Sequence, residues 1–187
     1  MKRSIILIIS IFILTVEFSA AQIYLGAGPE YIIPQDQLSN VNQESYGVTV
    51  QLESRRYCNL WYGLRFDYVF LEKLEDLPDG VNFFEDAFLI SPELRWSFLG
   101  KDCFTGKLLP YIQGMLTISS IGGTDELNRL GLGMGGGAGV AIGFTLFDLC
   151  WMADLNAIYS APNAFWRAEG RHNLQSINLS INLSVGL

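Results

Sequence analysis

The stretch INLSINLSVGL, residues 177–187, alternates apolar with small polar or glycine residues without interruption. Successive side chains of a β-strand point to opposite faces, so the apolar residues share one face and the small residues share the other. Its length of 11 residues matches the roughly 9–11 residues with which a tilted strand crosses a bilayer. The stretch therefore predicts an amphipathic, membrane-crossing strand.

The same period of two recurs in seven further segments. The predicted strands are, in chain order, residues 22–33, 46–54, 60–71, 84–98, 109–119, 130–146, 151–159 and 177–187. Most of the segments between them are rich in turn-forming residues. This arrangement is typical of an all-β fold, an eight-stranded antiparallel up-and-down transmembrane β-barrel in which neighbouring strands pair in order.

Two features indicate that the apolar face points outward, toward lipid. The glycine row from Gly131 to Gly143 lies on the polar face, where it leaves room in a narrow lumen beside Tyr24, Trp61 and Tyr111. The polar face also carries charges of both signs, which must pair when they are buried. The predicted lumen charge network consists of Glu30, Glu53, Arg65, Asp67, Glu85, Glu93, Arg95 and Asp154. With the apolar face inward, the chain would instead be a soluble periplasmic lipocalin-like carrier.

The amino terminus has the pattern of a cleavable secretory signal. Lys2 and Arg3 precede the aliphatic run Ile5–Val16, and the small residues of Ser19–Ala21 follow. We expect residues 1–21 to be a Sec-type signal peptide and residues 22–187 to form the barrel domain. After this signal no apolar run is long enough for a transmembrane helix, although half of the chain is hydrophobic. The predicted location is the bacterial outer membrane.

An even number of strands puts both termini at the same end, which is periplasmic in outer-membrane barrels. The extracellular connections are then residues 34–45, 72–83, 120–129 and 160–173, and the periplasmic ones are residues 55–59, 99–108 and 147–150. Cys58, Cys103 and Cys150 each fall in a different periplasmic connection. The periplasm is oxidising, which permits one disulfide among these cysteines. The alternative is three free thiols, because the sequence alone does not give the pairing.

In these features the chain resembles the small outer-membrane barrels of the OmpA/OmpX type. The resemblance rests on the signal, the eight amphipathic strands, the strand opening Pro110–Ile112, the Gly-x-Gly-x-Gly run from Gly131 and the alternating last strand. Such barrels usually end in an aromatic residue, whereas this chain ends in Leu187. The resemblance implies insertion by a barrel-assembly machinery and contact with outer-membrane lipid and lipopolysaccharide. It implies no single activity, since members serve as tethers, adhesins or enzymes.

An eight-stranded barrel is only wide enough to be filled by its own side chains. We therefore expect a non-enzymatic barrel with a side-chain-plugged lumen and a structural or surface-interaction role through short extracellular loops. The fourth loop mixes aromatic and cationic residues and is the candidate contact loop for lipopolysaccharide phosphates or a partner protein: Phe165, Trp166, Arg167, Arg171 and His172. A plain interfacial anchor is the alternative for this loop.

Other functional classes find little support in the sequence. Without residues 1–21 the chain keeps 10 basic and 18 acidic residues, and this negative balance argues against a nucleic-acid partner. We find no P-loop, nucleophile elbow or metal-ligand pattern, and we predict no catalytic residue, metal or cofactor. A barrel-embedded lipid-modifying enzyme would have to use His172, the only histidine, with Ser160, Ser176 or Glu169. A small pore is the remaining alternative.

Overall fold

The structure is a computed structural model that describes residues 22–57, 59–78, 81, 83–98, 106, 108–123, 129–167 and 174–187. The predicted signal peptide, residues 1–21, lies outside the described residues, and so do Cys58, Cys103, Arg171 and His172. In the part of the chain that is described, no helix has the length and hydrophobicity needed to span a bilayer.

Eight antiparallel strands close into one barrel, which confirms the predicted fold. The strands are β1 (Gln22–Gln35), β2 (Ser45–Tyr57), β3 (Leu60–Phe70), β4 (Phe84–Ser97), β5 (Leu108–Gly123), β6 (Arg129–Leu146), β7 (Leu149–Arg167) and β8 (Gln175–Gly186). Each strand pairs with its sequence neighbours, and β8 pairs with β1 to close the wall. A short 3-10 helix, Leu38–Asn40, lies between β1 and β2.

The two ends of the barrel differ. The β1–β2, β3–β4, β5–β6 and β7–β8 connections leave from one end, here called the loop end, and both Gln22 and Leu187 lie at the other, the terminal end. At the terminal end β6 and β7 are joined by Phe147 and Asp148 alone, both with positive φ angles of 54° and 58°. Such a two-residue turn matches the twist of the strands that it joins.

The apolar face of the wall points outward, as predicted. Leu179 and Leu183 are 39% and 49% exposed, whereas Arg65 and Glu93 are 1% and 3% exposed. The polar residues of β8 between these leucines are buried in the lumen. This orientation is the reverse of a lipocalin-like carrier, so that alternative is wrong.

Strand β7 is longer than the sequence pattern predicted. It continues to Arg167, and the register against β6 shifts between the pairs Leu132–Trp166 and Met134–Ala161. Phe165, Trp166 and Arg167, predicted to lie in the fourth loop, therefore belong to this strand, and the side chains of Phe165 and Trp166 are exposed. A bulge interrupts the alternation, so the period of two could not extend the strand this far.

Proline breaks the ladder locally without changing the register. Ile90 pairs with Ile118 and Glu93 with Met115, and these pairs keep the same register on both sides of Pro92. Strand β4 therefore continues through Pro92 without a bulge. The ladder to β3 runs through Pro92 without a gap, and only the pairing toward β5 is missing, because proline has no N–H to donate.

Candidate functional site: the barrel lumen

Arg65 organises the first of two buried ion clusters in the lumen. Its Nε donates to Asp67 Oδ1 and its Nη2 donates to Glu30 Oε1, both at 2.7 Å. Arg65 and Asp67 lie two residues apart on β3 and therefore share a face, while Glu30 reaches them from β1 across the intervening strand β2. All three side chains are buried, and the ion pairs offset part of the cost of removing these charges from water.

Arg95 on β4 organises the second cluster and links strands on opposite walls. Its Nη1 lies 2.8 Å from Glu53 Oε1 on β2 and 2.8 Å from Asp154 Oδ2 on β7. Its Nη2 donates to Gln51 Oε1 at 3.0 Å and lies 3.4 Å from Glu93 Oε1. A single guanidinium thus contacts three carboxylates and ties three strands together.

Asp154 receives more hydrogen bonds than its neighbours in this cluster. Tyr111 Oη donates to Asp154 Oδ1 at 2.5 Å, and Asn156 Nδ2 donates to Asp154 Oδ2 at 3.2 Å. Ser180 on β8 in turn donates to Asn156 Oδ1 at 2.8 Å. These hydrogen bonds connect polar side chains from β4 through β7 to β8, and each side chain restricts the position of the next.

Seven of the eight residues predicted for the charge network have buried side chains in the lumen, and Glu85 does not. The register of β4 against β5 is irregular between Phe84 and Asp86, so Phe84 turns inward and Glu85 is exposed. The prediction for Glu85 is therefore wrong, because an irregularity reverses the alternation at the start of the strand.

Arg55, predicted to lie in the connection of residues 55–59, belongs to strand β2 instead. It is buried in β2 with its guanidinium 4.3 Å from the centre of the Trp61 ring. The described lumen therefore holds three arginines, at positions 55, 65 and 95, against five carboxylates, at positions 30, 53, 67, 93 and 154. Formal charges of +3 and −5 leave −2 in this interior.

An apolar cluster closes the lumen at the loop end, and we call it the apolar plug. Its buried members are Ile32, Leu38, Val69, Leu71, Phe84, Ala87, Leu89, Ile121 and Leu174. Leu38 enters from the 3-10 helix, so the first connection folds over the mouth of the barrel. Asn42 holds it there by donating to Glu72 O at 3.0 Å and to Phe84 O at 2.7 Å.

The β7 bulge completes the closure at this end. Ala161, Pro162 and Asn163 are buried in succession, so this part of the strand leans into the mouth. Asn163 Oδ1 accepts a hydrogen bond from Leu174 N at 3.0 Å. A Cβ atom at Gly131 would lie 2.8 Å from Asn163 Cβ, so the glycine row provides the space that the bulge occupies.

The terminal end of the lumen is filled by large side chains. Trp61, Leu109, Tyr111, Ala141 and Met152 form a second buried apolar cluster, and the Trp61 and Tyr111 rings lie 5.9 Å apart. A cavity of about 30 Å³ remains at the opposite end, between the apolar plug and Ser160, Ser176 and Asn178. This volume suits one or two water molecules and excludes a larger ligand.

The residues named for the enzyme alternative do not form a described catalytic site. Ser160 and Ser176 are buried, and Ser176 Oγ donates to Asn178 Oδ1 at 2.6 Å. His172 and Glu169 lie outside the described residues. Within the described ranges, no group of three or more His, Cys, Asp and Glu residues could hold a metal ion. Cys150 lies at the start of β7 and forms no disulfide with a described residue.

Aromatic side chains mark both edges of the apolar outer wall. Near the loop end Tyr31 lies against Tyr46, and Tyr68 lies against Phe70 with ring centres 4.9 Å apart. Near the terminal end Trp96 and Phe98 pack with ring centres 4.7 Å apart. Two aromatic belts on either side of an apolar band are characteristic of barrels that cross a bilayer.

The fold matches solved structures of small membrane barrels. Neisserial surface protein A superposes with a TM-score of 0.56 and 14% identity over 88% of this chain and 97% of that chain. The chain has the fold of the OmpA/OmpX-type barrels. Ail, the attachment invasion locus protein of Yersinia pestis, superposes with a TM-score of 0.50 and 9% identity over 89% of this chain and 99% of that protein. The structure of Ail with the heparin analogue sucrose octasulfate matches equally well.

At this level of identity, the likeness to OmpA/OmpX-type barrels is a likeness of fold. No protein-family model matches the chain. No curated protein matches it by sequence either.

Proposed function

We propose that the chain is a non-enzymatic outer-membrane barrel with a side-chain-plugged lumen, which acts structurally or through surface contacts at its loop end. Its termini face the periplasm in this proposal. The observation that carries it is the combination of a closed barrel, an apolar exterior and an interior filled by its own side chains.

The exterior supports a location within a bilayer. Exposed large apolar residues occur on all eight strands or at their ends, among them Leu25, Val50, Phe70, Leu94, Leu116, Val140, Leu155 and Ile181. Monomeric soluble proteins rarely expose contiguous apolar patches larger than a few hundred Å². A wall that is apolar all the way round is stable in lipid, where every backbone group of a closed barrel finds its partner within the wall.

The interior supports a plugged barrel over a pore. The apolar plug closes the loop end, the two arginine clusters cross the middle, and Trp61 with Tyr111 fills the terminal end. An ion would have to displace all three layers to cross. The same packing leaves no space for a substrate, which favours a non-enzymatic role.

The loop end is the surface that we assign to contacts. Two proteins with this fold are named as a Neisserial surface protein and as the attachment invasion locus protein of Yersinia pestis. In this chain Phe165 and Trp166 are exposed on β7, and the cationic residues Arg167, Arg171 and His172 follow them in the sequence. We assign to these residues contact with outer-membrane lipid and lipopolysaccharide phosphates, and biogenesis to the barrel-assembly machinery.

Membrane fractionation together with gel migration tests the location. We expect the chain in the outer-membrane fraction, extracted only by detergent, and its migration on a denaturing gel to change after boiling. Extraction without detergent, or identical migration before and after boiling, would overturn the proposal. Steady large conductance in planar bilayers would contradict the plugged lumen.

A paired substitution tests the contact surface. Phe165→Ala with Trp166→Ala should weaken binding of the detergent-solubilised barrel to lipopolysaccharide. Trp96→Ala with Phe98→Ala removes a comparable exposed aromatic pair at the terminal end and should leave this binding unchanged. Equal loss in both variants would indicate nothing more than general anchoring.

His172→Ala should alter no lipid-modifying activity of the membrane.

A further inference from the structure

Glu53 and Glu93 flank a glycine in the same row of the barrel wall. Glu53 on β2 pairs with Gly63 on β3, and Gly63 pairs with Glu93 on β4. Because Gly63 has no side chain, the space between the two glutamates in this row is open. A Cβ atom at position 63 would lie 3.2 Å from Glu53 Cγ and would narrow this space. Both glutamates are buried in the lumen.

These two side chains lack the donors that buried carboxylates require. None of their four oxygens accepts a well-aligned hydrogen bond from a described residue. Their cationic neighbour Arg95 lies at 2.8 Å from Glu53 and 3.4 Å from Glu93, and it is shared with Asp154. Two ionised groups sharing part of one cation in a dry interior would be strongly destabilising.

The two carboxyl groups nevertheless lie on the same guanidinium, with Glu53 Oε1 at Nη1 and Glu93 Oε1 at Nη2 of Arg95, on either side of the open position at Gly63. Ionised carboxylates only accept hydrogen bonds, whereas a protonated carboxyl group has an O–H to donate. We propose that Glu53 and Glu93 bind one proton between them, as a carboxylic acid that donates to a carboxylate in the centre of the lumen. This proton supplies the missing donor and brings the formal charge of the described lumen from −2 to −1.

The other titratable groups around Glu53 and Glu93 are not suited to hold the proton. The charged and titratable side chains that face it are Tyr24 on β1, Arg55 on β2, Arg65 on β3, Arg95 on β4, Tyr111 on β5 and Asp154 on β7. The arginines stay charged and the tyrosines stay neutral near pH 7. Asp154 already accepts three hydrogen bonds, so a proton there would displace a donor.

Urea unfolding of the full chain refolded in detergent micelles, repeated between about pH 5 and pH 9, tests the proposal. In the unfolded chain both glutamates ionise near pH ~4.3. The folded state therefore binds one proton more, and raising the pH favours unfolding of the wild type. In Glu93→Gln the amide N–H donates to Glu53 in place of the proton. The folding constant of Glu93→Gln relative to wild type should rise with pH, by up to about tenfold per pH unit.

Asp154→Asn is the matched control, because it removes the same charge from the same cluster. Its amide N–H would oppose the donors that Asp154 now accepts, so this variant should be less stable than wild type at every pH, with no rising ratio. A constant ratio for Glu93→Gln, or a rising ratio in both variants, would overturn the proposal. Stabilisation of the wild type by Na⁺ or Mg²⁺ at high pH, lost in Glu93→Gln, would show a bound metal cation instead and would equally overturn it.

Infrared spectroscopy of the wild type keeps the proposal testable if Glu93→Gln does not fold. The folded barrel should show the C=O band of a protonated carboxylic acid near pH 7, and this band should be missing in Glu53→Gln. A folded wild type without that band would contradict the shared proton. Both measurements are independent of membrane location, so their failure is distinguishable from a failure of the proposed function.

Discussion

Tyr111 on β5 crosses above Gly139 on β6 to donate its phenolic hydrogen to Asp154 Oδ1 on β7, at 2.5 Å. Tyr111 and Gly139 are direct pairing partners, so the glycine lies under the ring. The Tyr111 side chain can reach from β5 to β7 because Gly139, on the strand between them, has no side chain in its path. This contact also shows why a residue that contributes nothing to packing belongs in the middle of this wall.

Gly139→Ala should therefore destabilise the barrel. The new Cβ would overlap the Tyr111 phenol and lie 2.7 Å from the carbonyl oxygen of Leu155, which the backbone cannot easily move. We expect a loss of about 1–3 kcal/mol in the free energy of unfolding, the usual cost of overpacking. Urea unfolding in detergent micelles measures it.

Gly114→Ala is the control for this substitution. Gly114 is also a strand glycine, but no heavy atom lies within 4 Å of the position that its Cβ would take. Alanine there should be neutral or stabilise the strand by roughly 0.5–1 kcal/mol, because it reduces the freedom of the unfolded chain. Equal destabilisation by both substitutions would show that the contact with Tyr111 is not the cause.

Arg95→Met should be among the most damaging single substitutions in the lumen. It leaves Glu53, Glu93 and Asp154 buried without their shared cation. Breaking a buried ion cluster in this way costs about 3–5 kcal/mol. Lys73→Met removes the same charge from the less buried loop end and should change the unfolding free energy by less than about 0.5 kcal/mol. A small effect at Arg95 would mean that its carboxylate partners are compensated by other groups.

The loss of stability caused by a charge on the outer wall should depend on how deep in the bilayer the charge lies. Ile181, in the middle of β8, and Leu108, at the terminal-end start of β5, are both 62% exposed. Arginine at a bilayer midplane costs about 2–4 kcal/mol in such barrels, and near the interface it costs about 0–1 kcal/mol. Ile181→Arg should therefore reduce stability in liposomes much more than Leu108→Arg. Equal effects would contradict a bilayer centred on the wall.

Asn42→Ala should loosen the loop end. Asn42 is buried, and its amide group donates to the carbonyl oxygens of Glu72 and Phe84. Alanine removes both hydrogen bonds and leaves Glu72 O with the N–H of Gln43. We expect a loss of about 1–3 kcal/mol and faster proteolysis of the β1–β2 connection in the folded barrel. Ser39→Ala, at an exposed position of the same connection, should change neither quantity appreciably. Unchanged proteolysis in Asn42→Ala would show that other contacts hold the connection.

Most of the fold could be predicted from the strand pattern, because the alternation of apolar and polar residues is a local property of the sequence. The strand pattern also located Arg65 and Arg95, whose carboxylate neighbours lie two residues away on the same strand. The inward turn of Phe84 and the succession Ala161–Asn163 could not be predicted in this way, since an irregularity in register leaves no periodic signal.

The apolar plug was missed for a different reason. Val69 and Leu89 are inward-facing apolar residues on strands that also place charged side chains in the lumen, and Leu38 comes from a connection. The sequence shows each of them separately, but only the closed barrel brings them together. The partner of a lumen residue is set by register across several strands, which a single sequence does not encode locally.

The seam between the first and last strands has a particular consequence for assembly. The β1–β2 ladder runs through Gly28 and Pro29 without a gap, whereas the β1–β8 ladder is interrupted at these two residues. Any side chain at position 28 would collide with the carbonyl oxygen of Ile181. A slip of β8 by one residue would move this interruption to a different partner and turn its leucines into the lumen. Gly28 and Pro29 therefore favour closure of the barrel in one register of β8 against β1 and disfavour mispaired closure.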